Sequence, residues 1–321
     1  MRTLSQEVRY PIDAPSTDFA SPHTKANLLL QAHIGRLALP CTDYESDAKT
    51  VLEHSDRILK ALVEIADLWK WYQTAMNVMY LTQAVVQAQW SSENSLLTLP
   101  NVFQSVLPFF VWHRRGSDEC DESLVKEEIK TVRELVSVCS GDKSVLNAML
   151  KERLSKKQVD EMWNVVEKLP VVQVDLELRP QSQDASTDDV QPEADLLQRM
   201  PDRDGVETHY ADVLPTQEYG LDVILTTVRQ GENNMAHAPR YPKRRNVGWW
   251  VMMGDNATNR LLALKKVEQA RGTGKFRLSV KTPATAGLTV CHLLLVSDSY
   301  LGLDQYLSVC LNVQDLTGDQ L

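Results

Sequence analysis

The sequence predicts a multidomain chain, α first and then β: a helical bundle, a helix–loop–helix and an immunoglobulin/fibronectin III-like β-sandwich. Three observations carry the prediction. Up to Pro170, apolar residues recur at helical spacing between prolines and capping signals. At Val171 the period changes from about 3.6 to about 2. From there seven short alternating runs can be read, the count and spacing of such a sandwich.

The elements follow in order. Residues 1–20 are polar and punctuated by Pro11 and Pro15, an extended lead-in. Ser21-Pro22 supplies an N-cap and a proline for the first helical position, opening a helix that stops near Pro40. A second helix runs from Lys49 to Trp69, with Leu52, Leu59, Leu62, Ala66 and Trp69 as its inner stripe. Arg57, Lys60 and Glu64 lie away from that stripe. Gln73–Trp90 is the third helix, and SLLTLPN closes the bundle, which spans 21–101. Residues 102–170 comprise a connector and the helix–loop–helix. Helix is expected at Glu127–Ser140, with Gly141 as its stop, and then from Lys143 and Lys156. Ser155 and Gln158 form a capping box.

The sandwich covers 171–315, interrupted at 180–218 by an insertion too polar to bury much surface. Its first strand, VVQVDLEL, turns Val172, Val174, Leu176 and Leu178 to one side. Six further runs lie at 221–228, 248–253, 260–267, 275–281, 289–297 and 306–313. In the second of these, adjacent Trp249 and Trp250 must point to opposite faces, one into the core and one outward or into an interface.

Composition narrows the function. The 321 residues are 43% hydrophobic and 24% charged, close to the globular average, with a net charge of −9. An acidic chain lacks the broad electrostatic grip of a duplex-binding or membrane-surface protein, yet a narrow channel that stacks bases stays open to it. Five scattered cysteines without a CxxC pair read as reduced thiols. No apolar leader or 18-residue apolar run is present, so the chain is read as soluble, in nucleus and cytoplasm, with no membrane partner. No catalytic motif is legible. Gly272-Thr-Gly-Lys275 lacks the spacing of a phosphate loop and reads as a hairpin turn, and the histidines have no ligand spacing. No metal or cofactor is expected in this chain.

The stretch 73–90 stands out because it contains no charged residue yet holds four glutamines. Val78, Leu81, Val85 and Ala88 share one side. Met76, Tyr80, Gln83, Gln87 and Trp90 share the other, offering rings and amides without fixed charge. Such a face suits a strand that is held weakly and slides. It equally suits a central helix whose glutamines bond to neighbouring elements. Separately, Arg240–Arg245 is a basic cluster in a loop of an acidic chain, and Lys243, Arg244 and Arg245 are candidates for docking a partner.

Several segments in order resemble one family. They are SPHTKANLLLQAH (21–33), Asp47–Leu52, SLLTLPN (95–101), YPKRRNVGWWVMMGD (241–255) and SDSYLGLDQ (297–305). Together they look like the Sec-63-type unit that ends each cassette of large Ski-two-like nucleic-acid helicases. The resemblance implies the fold order derived above and a bundle helix that ratchets single-stranded nucleic acid through a channel formed with RecA-like motor domains. It places Arg57, Gln83 and Trp90 toward the strand, with Tyr80 and Gln87 as further strand-contacting candidates on the same helix face, favouring the ratchet over a plain core helix. It also implies ATP and magnesium for the motor domains, and partners among coactivator-complex, ribosome or spliceosome proteins. Leu68-Trp69-Lys70-Trp71-Tyr72 departs from the family, replacing its usual Gly-Trp turn. A non-enzymatic protein-interaction module is the alternative.

Overall fold

The computed structural model describes residues 1–11, 21–115, 124–180, 196–201, 207–229, 234–268 and 272–315. Helices come first: α1 (Arg2–Glu7), α2 (Pro22–Ile34), α3 (Thr42–Leu68) and α4 (Tyr72–Gln87). A hairpin of β1 (Val111–Arg115) and β2 (Leu124–Glu128) precedes α5 (Val132–Cys139), α6 (Lys143–Leu150) and α7 (Lys156–Val166). Among the described residues nine strands follow: β3 (Val171–Pro180), β4 (Gln198–Pro201), β5 (Glu207–Val213), β6 (Glu218–Arg229), β7 (Gly248–Asp255), β8 (Arg260–Glu268), β9 (Thr273–Lys281), β10 (Gly287–Ser297) and β11 (Gln305–Val313).

The N-terminal segment is not simply an extended lead-in. Leu4 and Val8 are buried against Leu28 and Ala32 of α2, so the short α1 closes that helix's outer side. Helices α2, α3 and α4 each end in the same way. Arg36, Lys70 and Ala88 take left-handed φ of 55°, 57° and 50°. The residue after each donates its N–H five residues back, from Leu37 to Ala32, Trp71 to Ala66 and Gln89 to Ala84. This is the Schellman closure, made here without the usual glycine.

The expected inner stripe of α3 needs correction. Leu52, Leu59, Val63 and Ala66 are buried. Leu62 and Trp69 are instead 41% and 63% exposed. The connector also differs, because Glu127 and Glu128 pair in the β1–β2 hairpin and helix α5 starts only at Val132. Thr131–Glu134 and Ser155–Gln158 form capping boxes that fix the starts of α5 and α7.

The strands form a six-stranded sheet, β4-β5-β11-β10-β7-β8, and a three-stranded sheet, β3-β6-β9. All seven anticipated strands are present. Two more, β4 and β5, lie in the region expected to be loose, and β5 pairs parallel with β11. The rest of that insertion, 181–195 and 202–206, lies outside the described residues. Gly272–Lys275 is no simple hairpin turn, since β8 and β9 belong to different sheets.

Both faces of the large sheet are covered. Trp249, Val251 and Met253 enter the core shared with Val174 and Val223 of the small sheet and with α5–α7. Trp250, Met252, Leu294 and Val296 face the other way, onto Val63, Ala66, Tyr72, Ala75 and Met79 of α3 and α4. The two tryptophans thus split as their alternation requires. Each large apolar side chain so buried contributes roughly 1.5–3 kcal/mol, enough in sum to fix the helices to the sheet. Gly254 permits the closest approach: a Cβ there would lie 2.1 Å from the Tyr72 ring.

Candidate nucleic-acid interface

Helix α4 was the expected strand-contacting element, and its environment decides what its side chains can do. From Thr82 to Gln89 every residue is buried. Gln83 is wholly buried and donates from Nε2 to Ser297 O at 2.8 Å and to Asp304 Oδ1 and Oδ2 at 2.8 and 3.1 Å. Gln87 donates from Nε2 to Ser299 O at 2.6 Å and His237 O at 3.2 Å. Both amide nitrogens are therefore spent on the β10–β11 loop and its neighbour. The anticipated ring-and-amide face points into the protein, with the apolar stripe opposite it buried as well: Val85 is 1% exposed.

The rings of that face are also engaged. Trp90 is half-buried, with Tyr10 edge-on at 5.4 Å between centroids and the Arg9 guanidinium 5.4 Å from its ring. Tyr80 is half-buried, and burial raises its phenol pKa, helped by the Asp304 carboxylate. The carbonyls ending α4 are capped from α2 and its turn: His33 Nε2 lies 2.8 Å from Val85 O, and Arg36 Nε donates to Ala88 O at 2.7 Å. This corner is built for rigidity.

Asp304 is the most perturbed acid. Burial pushes its carboxyl up to about 7, against the opposing pull of the Ser297 N–H and the Gln83 amide. Asp298 behaves oppositely. Burial works against its charge, but Arg245, the Ser299 hydroxyl, the Gly248 N–H and Lys266 together hold it below the usual carboxylate range.

Arg57 and the basic loop meet at one place. They line a cavity of about 530 Å³ between α3 and the start of β7. Six cationic side chains, with His54 beside them, face four carboxylates there. Most of these cations are engaged. Arg245 pairs with Asp56 at 3.1 Å and Asp298 at 3.3 Å, and its side chain is only 12% exposed. Lys60 pairs with Asp56 at 2.6 Å, Lys266 with Asp298 at 3.3 Å, and Lys243 with Glu53 at 3.8 Å. Arg245 is thus a strut between α3 and the sheet rather than a side chain offered for docking. Arg57 and Arg244 are exposed and have no ion pair among the described residues. Tyr80, Gln83, Gln87 and Trp90 do not line this cavity.

One surface escaped the sequence reading. Ile58, Leu62, Ile65 and Leu68 of α3 are 41–77% exposed, and Trp69 and Trp71 stack at 6.0 Å beyond them. The spacing of Ile58, Leu62, Ile65 and Trp69 is itself helical, so α3 carries two apolar sides. That is the signature of a helix with something to cover on both. The Trp pair is anchored from below: Leu261 N–H donates to Lys70 O, and Tyr72 N–H donates to Asn259 O.

Helices are clamped to a sheet by buried amides, with a charged cleft and an uncovered apolar row alongside. The chain belongs to the family of the Sec-63 Brl domain, which matches residues 1–310. It is similar to activating signal cointegrator 1 complex subunit 3 of Mus musculus, 35% identical over 94% of this chain and 14% of that protein. A DExH-box ATP-dependent RNA helicase of Arabidopsis thaliana is 29% identical, covering 96% of this chain and 12% of its own. The U5 small nuclear ribonucleoprotein 200 kDa helicase of Mus musculus is 26% identical, over 99% and 12%. The segments Leu39–Tyr44 and Tyr300–Gln305 point the same way, resembling the cointegrator-complex helicase most and the spliceosomal Brr-two helicase next. The chain therefore spans only 12–14% of the length of these relatives. A solved Pseudomonas fluorescens alkylpurine DNA glycosylase aligns over 93% of this chain and 84% of its own, at 9% identity and a TM-score of 0.21, too low to carry an argument.

Among the described residues no helix is long and apolar enough to cross a membrane, and no group of three His, Cys, Asp or Glu could hold a metal ion.

Proposed function

We propose that this chain is the strand-guiding and motor-docking unit of an ATP-dependent nucleic-acid helicase. The observation that carries the reading is the uncovered side of α3. Its apolar row leads from the cleft of Arg57 and Arg244 to the stacked Trp69 and Trp71. A contiguous row of this kind is rare on a surface that faces only water. RecA-like motor domains are the occupant we assign to the row, with ATP and magnesium held by the motors. Single-stranded nucleic acid then passes the Arg57–Arg244 end, where two unpaired guanidiniums meet its phosphates. The buried Gln83 and Gln87 act indirectly, by holding α4 and the sheet as a rigid backing. In this reading Trp90 and Tyr80 brace the same backing.

The strand order supports an immunoglobulin/fibronectin III-like sandwich for the C-terminal part, because a three-stranded sheet faces a larger one across a shared core. Partners among coactivator-complex or spliceosome proteins fit the relatives' names, and ribosome partners and work in nucleus and cytoplasm belong to the same proposal.

A helicase carrying this unit provides the test. Arg57→Ala with Arg244→Ala should lower unwinding several-fold and leave ATP turnover without nucleic acid unchanged. Unwinding at the original rate, with partner proteins lost instead, would favour a plain protein-interaction module.

A further inference from the structure

A second cavity is remote from the α3 cleft and differs from it in charge. It encloses about 630 Å³ between α5 and the edge strand β3. Arg133, Arg199 and Arg229 line it, and no carboxylate among the described residues does. Arg133 and Arg199 are exposed and Arg229 is half-buried, and a guanidinium partly withdrawn from water is normally matched by an acid. Here the described partners are neutral: Arg133 Nη2 donates to Gln305 Oε1 at 3.1 Å, and Arg229 Nη2 donates to Val166 O at 3.2 Å. Arg229 Nε is buried without a hydrogen-bond partner among the described residues. Desolvation draws the pKa of both arginines down. Glu167 offsets this for Arg229 only in part, and from outside the lining.

We propose that this cavity is a binding site for a phosphate monoester carried on a peptide side chain, such as phosphoserine in a partner protein. Arginine forks match the oxygens of a phosphate, and a dianion supplies the charge that Arg133 and Arg229 lack among their described partners. The volume falls within the range of small-ligand pockets. Residues 171–174 of β3 form one wall, an edge along which an extended peptide can lie. Nucleic acid fits less well. Trp249 is the cavity's one aromatic lining residue among those described, and at 1% exposure it offers no ring face on which a base could stack.

Calorimetric titration of the 321-residue chain tests the proposal. The probes are an acetylated, amidated Gly–phosphoserine–Gly tripeptide, its unphosphorylated form, inorganic phosphate and a single-stranded oligonucleotide. The phosphotripeptide should bind saturably and be displaced by phosphate, and the unphosphorylated form should not bind. Arg133→Gln and Arg229→Gln should each weaken binding at least tenfold. Ser137→Asp places a carboxylate among the lining residues without removing an arginine. It should do the same with an unchanged melting temperature, so that misfolding of an arginine variant leaves the test intact. Arg57→Ala with Arg244→Ala should leave the affinity as it was. Absence of saturable binding, binding indifferent to Ser137→Asp, or displacement of the phosphotripeptide by the oligonucleotide would overturn the proposal.

Discussion

Gln83 and Asp304, 221 positions apart, meet in a bond in which one buried amide nitrogen reaches both carboxylate oxygens, at 2.8 and 3.1 Å. This bond joins α4 to the β10–β11 loop. A helix that reads as a sliding surface in one dimension is, in three, bolted to the sheet.

The bond predicts a pH dependence. Burial raises the Asp304 carboxyl from 3.8 to about 7, so the folded state holds its proton more tightly than the unfolded chain does. Its contribution to stability is complete below pH about 4 and is lost as pH rises through about 7. Asp304→Asn should flatten that part of the stability–pH curve, measured by urea unfolding across pH 4–8. The wild-type fall is on the order of 3–4 kcal/mol at most. A wild-type curve already flat over this window would contradict the burial of that carboxyl.

Removing either glutamine leaves buried acceptors without donors. Gln83→Ala and Gln87→Ala should each destabilise by about 1–3 kcal/mol. Arg57→Ala, on the exposed side of α3, should change stability by less than about 0.5 kcal/mol. Chemical denaturation of the three variants would reverse the assignment of these faces if Arg57→Ala proved the costly one.

The basic loop separates in the same manner. Arg245→Ser strips the buried Asp298 of one cation and leaves Lys266, a loss expected near the low end of the 3–5 kcal/mol typical of a broken buried pair, about 3 kcal/mol. Lys243→Ser and Arg244→Ser, both exposed, should stay within about 0.5 kcal/mol. Thermal unfolding of the three single variants checks the contrast.

Two backbone positions invite opposite substitutions. Gly254→Ala would drive a methyl into the Tyr72 ring and should cost roughly 1–3 kcal/mol by overpacking the helix–sheet contact. Lys70 holds a left-handed φ of 57° at the end of α3, where glycine is free of strain. Lys70→Gly should therefore gain about 0.5–1 kcal/mol, its exposed ion pair with Asp67 being worth little. Equal denaturation midpoints for Lys70→Gly and wild type would show the turn to be unstrained.

What the sequence made legible was periodicity, and what it concealed was which neighbour covers each face. Alternation was enough to send Trp249 and Trp250 to opposite sides of β7, because both sides of a strand must go somewhere. Helical spacing likewise grouped Gln83 with Gln87. It could not say that the surface facing them is the loop carrying Ser297, Ser299 and Asp304, more than 200 residues downstream. Leu62 and Trp69 failed for the converse reason. They read as inner residues because they are apolar, whereas their side of α3 is uncovered in this chain. Strand β5, ETHYADV, was hidden by its polar composition, and its pairing with β11 and β4 makes it a strand. The meeting of Arg57 with Lys243–Arg245 was beyond any local reading, since nothing short of the fold sets those positions around one cavity.

Site-specific photocrosslinking tests the central claim most directly. A photoreactive residue would be placed in turn at Arg57, Arg244, Gln83 and Gln87 of a helicase carrying this unit, and irradiated with a labelled single strand during unwinding. Crosslinks are expected from positions 57 and 244 and none from 83 and 87, whose side chains are enclosed. Crosslinks from 83 or 87 in protein that melts at the wild-type temperature, with none from 57 or 244, would contradict that claim.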